Sequence, residues 1–93
     1  MRYALSYNEA AARYLRELSL TRAGRLRLNA ALRTVEILSD AFRLDPVYRV
    51  GVGRFQFDYV FSDGGRPRLL TLIVDDTGAA YGVLKVVWAD CNP

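Results

Sequence analysis

Residues 49–65, RVGVGRFQFDYVFSDGG, decide how this chain folds. Phe55, Phe57, Tyr59 and Phe61 alternate with Arg54, Gln56, Asp58 and Val60, the two-residue period of a strand with one apolar face. Asp63-Gly64 is a strong hairpin signal, because glycine takes positive φ at little cost. Upstream, Tyr48, Val50 and Val52 alternate with Arg49, Gly51 and Gly53, and make a preceding strand. Downstream, RLLTLIV (68–74) is almost continuously apolar, as expected of a central strand covered on both faces. DDTG (75–78) turns the chain again, and AAYGVLKVVWA (79–89) reads as a long final strand.

The N-terminal half has a different period. MRYALSY (1–7) alternates Tyr3, Leu5 and Tyr7 with small or polar residues and reads as a short strand. Ser6 with Glu9 forms a capping box for a helix, with Asn8 as the competing cap. In that helix Ala11, Tyr14, Leu15 and Leu18 share a face, and Arg13, Arg16 and Glu17 point away. After a short break, with Thr21 as cap, a second helix runs from about residue 22 to residue 42. Its apolar positions are Leu28, Ala31, Leu32, Val35, Leu38 and Phe42. So short a break makes the two helices antiparallel neighbours, and Pro46 pushes the residue before it out of helical geometry. The expected order is β-α-α-β-β-β-β. This is an α+β fold: an antiparallel sheet of four to five strands, including the N-terminal one, with a helical hairpin on one face.

The 93 residues make one domain, 1–93, without repeats, linker or low-complexity tract. Hydrophobic content of 52% with 25% charged residues is that of a soluble globular protein. No apolar run is long enough to span a bilayer, the N-terminus lacks a signal-peptide core, and the lone Cys91 cannot pair within the chain. A cytoplasmic protein without membrane contact is the expectation. Without histidine, and with one cysteine, a zinc site or a histidine-dependent nucleophile is excluded. No cofactor or metal is expected. Charge is unevenly divided. Residues 1–54 carry ten arginines against five acids, and residues 55–93 carry three cations against five aspartates, which gives +5 and −2. A basic half of this kind suits an acidic partner or a nucleic acid.

The aromatic row could stack bases, but helices rich in Leu and Ala need large partners, so core packing is the better account. Arg49 and Arg54, flanked by Gly51 and Gly53, fall on the strand face opposite the buried residues and could cradle a phosphate; a bend at Gly53 with incidental charges is the rival account. Asp75-Asp76 is turn chemistry, since consecutive strand residues point to opposite faces.

The element order and the stretch YRVGVGRFQFDYVF (48–61), with LSYNEAAARYLREL and ALRTVEILSDAFRLDP, resemble the RelE/ParE toxin superfamily of bacterial toxin–antitoxin modules over residues 1 to about 75. That family has a strand, a helical hairpin and a sheet with a Tyr- and Arg-rich strand pair. The resemblance implies a toxin component neutralised by an acidic antitoxin protein and acting on mRNA at the ribosome or on DNA gyrase. Ribonuclease members would place cations on the scissile phosphate. Carried over, Arg49 falls on a basic position and Tyr59 on the aromatic that ends the motif, with Arg54 nearby; these three are the candidate catalytic residues. Gly51 stands at the second basic position, Gln56 at the position of an arginine, and VDDTG is acidic where ribonuclease members are cationic. The rival function is a non-catalytic protein-interaction module on the same fold, and a homodimer through the last strand, 79–89, is a further expectation.

Overall fold

Asn8, not Ser6, starts the first helix. The structure, a computed structural model, describes residues 3–92. Helix α1 (Glu9–Glu17) begins where the Asn8 side-chain oxygen accepts the Ala11 N–H at 2.8 Å. The Asn8 amide also donates to the Val87 carbonyl at 2.8 Å. Serine offers no second arm of that reach, so the long-range bond selects Asn8 over the local capping box. Helix α2 (Arg22–Leu44) begins as expected at Thr21, whose hydroxyl accepts the Gly24 N–H at 3.0 Å.

Five strands form one sheet in the order β1-β5-β4-β3-β2: β1 (Ala4–Tyr7), β2 (Arg49–Gly51), β3 (Arg54–Asp63), β4 (Arg66–Asp75) and β5 (Val83–Asn92). The fold is α+β as expected, but the sheet is mixed, not purely antiparallel. β2 to β5 form successive antiparallel pairs, and β5 arrives beside β1 in the parallel sense, Ala4 opposite Val83 and Tyr7 opposite Val86. The reason is topological. The helices carry the chain across one face from β1 to the far edge. Three reversals then bring it back in the direction in which β1 left, a parallel pairing that only a long crossover allows.

The last strand is shorter than expected. Ala79–Tyr81 is a 3₁₀ turn closed by Gly82 at φ 74°, and β5 starts at Val83. A homodimer through this strand is not available, because β5 lies between β4 and β1. Beyond β1 its edge is occupied as well: the Tyr14 hydroxyl of α1 accepts the Cys91 N–H at 2.8 Å.

The helix-covered face carries Phe55, Phe57 and Phe61 of β3, Leu70, Leu72 and Val74 of β4, and Leu84, Val86, Ala89 and Cys91 of β5, all buried. The change of parity within β5 comes from a bulge. Ile73 faces Trp88 while Val74 faces Val86, so Val87 is the extra residue. β4 is central, yet only one of its faces is covered; Leu69, Thr71 and Ile73 remain half-exposed on the other, contrary to the expectation from its apolar run. α1 packs on β5 and β1, and α2 on β3. The Arg25 guanidinium of α2 donates to the Leu15 and Leu18 carbonyls and so closes the C-terminal end of α1.

On α2 one expected core position shifts. Leu38 is 43% exposed, while Ser39 is fully buried with its hydroxyl donating to the Glu36 carbonyl at 2.6 Å. Phe42 fills the neighbouring space by edge contacts with Phe57 and Tyr48, at centroid distances of 4.5 and 4.7 Å. No described helix is long and apolar enough to cross a membrane.

Candidate functional site

Arg49, Arg54 and Tyr59 do not converge. Cross-strand partners share a face of the sheet, and Arg49 is opposite Phe55, a core residue. Val50 next to it lines a shallow depression with Gln56 and Asp58 on the uncovered face. Arg49 therefore lies at the rim of the helix-covered side. Arg54, opposite Asp75, belongs to the uncovered side. The expectation that both arginines share the outer face is thus corrected; the register shift between Arg49 and Gly51 separates them. Tyr59 follows the parity of Phe57 and Phe61 but is 37% exposed, because β2 ends before it can cover that part of β3.

Three cations on or beside the sheet are matched locally. Arg54 Nε is 3.6 Å from Asp75 Oδ2, Arg68 is 3.4 Å from Asp63, and Arg43, at the end of α2, is 3.7 Å from Asp76. Of these, the Arg54–Asp75 pair has an exposed cation, and pairs of that kind contribute about 0–1 kcal/mol, so Arg54 is only loosely held beside Asp75. Asp75 also accepts the Thr77 N–H at 2.8 Å, and the bonds from Thr77 lower its pKa, helped by Arg54. DDTG is turn chemistry, as its sequence indicates.

Three groups have a raised pKa. Burial raises the pKa of the Tyr7 hydroxyl, with a further contribution from Glu36. Burial also raises Tyr14 and the Cys91 thiol. None is lowered towards neutral pH, so none is poised as a base or nucleophile.

Two grooves remain. One lies between the helices over β1, about 210 Å³, lined by Tyr7, Ala12, Leu15 and Leu32. The other, about 360 Å³, lies between α2 and β3, with Arg27, Ala30, Tyr59 and Phe61 in its walls. Sequence reading missed Arg27 and Leu32 as site residues. Each sits at ordinary helical spacing, and only the partner strand or helix makes it a groove wall.

The helices are the more basic layer. α1 and α2 carry seven arginines against four acids, while β3, β4 and β5 carry Arg54, Arg66, Arg68 and Lys85 against Asp58, Asp63, Asp75 and Asp90. No model of a known family, no curated protein and no solved structure matches the chain.

Proposed function

We propose that this chain is a RelE/ParE-like toxin-type component that works by binding protein and not by cutting RNA, and that an acidic helix of an antitoxin-like partner docks along the groove between α1 and α2. The observation that carries this reading is the separation of Arg49, Arg54 and Tyr59, together with a cationic helical layer built around an apolar slot at Leu15 and Leu32. Phosphodiester cleavage needs cations converging on one phosphate. The arginines here are spread over two faces. A partner helix, by contrast, needs an apolar stripe to receive its own and opposite charges at the rim.

Two measurements test the reading. In growth after induced expression in a bacterial host, wild type and the Arg49→Ala/Arg54→Ala variant should behave alike at equal levels of folded protein. Arrest relieved by the double variant would return the assignment to phosphate chemistry. In titration with a synthetic amphipathic helix carrying Leu on one face and Glu on the other, wild type should bind and Leu32→Glu should not. Equal binding of a charge-reversed peptide would remove the acidic partner.

A further inference from the structure

A separate surface lies along the outer edge of β3, beside α2. We infer that β3 pairs antiparallel with β3 of a second copy of this chain, about a twofold axis at Val60, to give one continuous ten-stranded sheet. The argument starts at the hairpin. Asp63 and Arg66 close a two-residue loop in which Gly64 and Gly65 have φ of 59° and 81°. In such a loop the closing pair exchanges hydrogen bonds, and pairs alternate from there. Asp63, Phe61, Tyr59 and Phe57 thus bond to β4, while Ser62, Val60 and Asp58 turn their N–H and C=O groups outwards. Arg27 confirms this parity from outside, since its guanidinium donates to the Ser62 carbonyl at 3.4 Å, a long contact that the N–H of Asp58 of the partner subunit would join or displace.

β2 covers this edge as far as Phe55, and the 3₁₀ turn Pro46–Tyr48 that leads into it runs on beside Gln56, with Val47 and Tyr48 reaching towards Asp58. Beyond it no described strand pairs with the outer side of β3, and Val60 is 63% exposed there. An open edge of this kind is normally blocked by lysine, proline or a bulge. Residues 56–62 have none of these, and Asp58 is their only charge.

The occupant is argued from complementarity. With the axis at Val60, Val60 meets Val60 of the partner subunit. Asp58 lies opposite Ser62 of the partner subunit, a hydroxyl that can donate to it. On the helix-covered side Tyr59 lies opposite Phe61 of the partner subunit, at the mouth of the groove walled by Arg27 and Ala30. The outward residues Asp58, Val60 and Ser62 all find partners, and no like charges face each other. Moving the axis to Asp58 would set two carboxylates opposite one another, which is unfavourable. Moving it towards Phe57 would drive the second hairpin into β2. An acidic peptide strand would instead be repelled by Asp58.

The test is the oligomeric state of the full chain, with cross-linking to fix the register. Sedimentation over a concentration series should show a species of twice 10.5 kDa. Val60→Lys, an exposed change that should leave the circular dichroism spectrum intact, should weaken association about tenfold or more. Mild oxidation of Val60→Cys should give a covalent dimer, since Cα atoms of a hydrogen-bonded pair are about 5.5 Å apart. Asp58→Cys and Ser62→Cys should cross-link when mixed but not each alone. A monomer at all concentrations overturns the proposal. So does a dimer that Val60→Lys leaves unchanged, or equal cross-linking of Ser62→Cys by itself. None of these outcomes bears on the groove between the helices, so the two proposals fail independently.

Discussion

Asp63 holds Thr21: its Oδ1 accepts the Thr21 hydroxyl at 2.7 Å and the Thr21 backbone N–H at 2.9 Å. The β3–β4 hairpin is thereby latched to the residue that caps α2. The relay is directional, because the Thr21 oxygen that donates to Asp63 also accepts the Gly24 N–H. Arg68, 3.4 Å from Asp63 Oδ2, anchors the carboxylate from the β4 side.

This latch reverses a familiar sign. Replacing a helical glycine by alanine ordinarily stabilises by about 1 kcal/mol. At Gly24 an added Cβ would lie 2.0 Å from Asp63 Oδ1 and 2.7 Å from its Cγ, so Asp63 must turn away and release Thr21. Gly24→Ala is expected to destabilise, because the two hydrogen bonds lost at the Asp63 carboxylate outweigh the helix propensity gained. In the Asp63→Ala background the same change should stabilise. A double-mutant cycle by urea unfolding reads the coupling.

The latch also sets an acid limit. The bonds from Thr21 pull the Asp63 pKa below its ordinary value of 3.8, with help from Arg68 and Arg66, and those from Thr77 do the same for Asp75. A carboxylate whose folded pKa is depressed adds stability that is present above the ordinary value and is lost as pH falls through the folded one. Urea midpoints should be level near neutral pH and fall below about pH 4. Asp63→Asn should start lower at neutral pH and fall less steeply. An unchanged slope in that variant would show that Asp63 does not contribute.

Arg25 joins the helices through the Leu15 and Leu18 carbonyls. Arg25→Gln is expected to cost about 1.5–3 kcal/mol, the range for charge-assisted hydrogen bonds. Arg25→Lys should recover only part of this, since an ammonium cannot reproduce the planar fork. Thermal unfolding of the three proteins gives the order.

Leu38 and Ser39 exchange the roles that their types suggest. Leu38→Gln should change stability by no more than about 0.5 kcal/mol, as at exposed positions generally. Ser39→Leu should cost about 1–3 kcal/mol, because the site is fully buried and sized for a hydroxymethyl group. Chemical denaturation separates the two, and the reverse order would mean that α2 turns Leu38, not Ser39, towards the core.

What the sequence by itself determined is what its neighbours along the chain decide. Gly64 and Gly65 make the hairpin, Thr21 caps α2, Pro46 follows its end, and the period of two in residues 54–61 makes β3 with its aromatics inward. These are short-range effects of backbone freedom, capping and alternation, and the residue types alone express them. Only the tertiary structure decided the rest, because each outcome rests on a group far away in the chain. Asn8 wins the cap through Val87, 79 residues distant. β1 becomes parallel because β5 must fill the gap beside it. Ser39 is buried and Leu38 is not because α2 lies at one rotation on β3. Arg49 and Arg54 part company through a register shift in β2, and with them goes a convergent cationic site. Local pattern says which face of an element is apolar. Which polar residues then meet on the surface depends on how the elements are registered against one another, and that register is set by packing across the whole sheet.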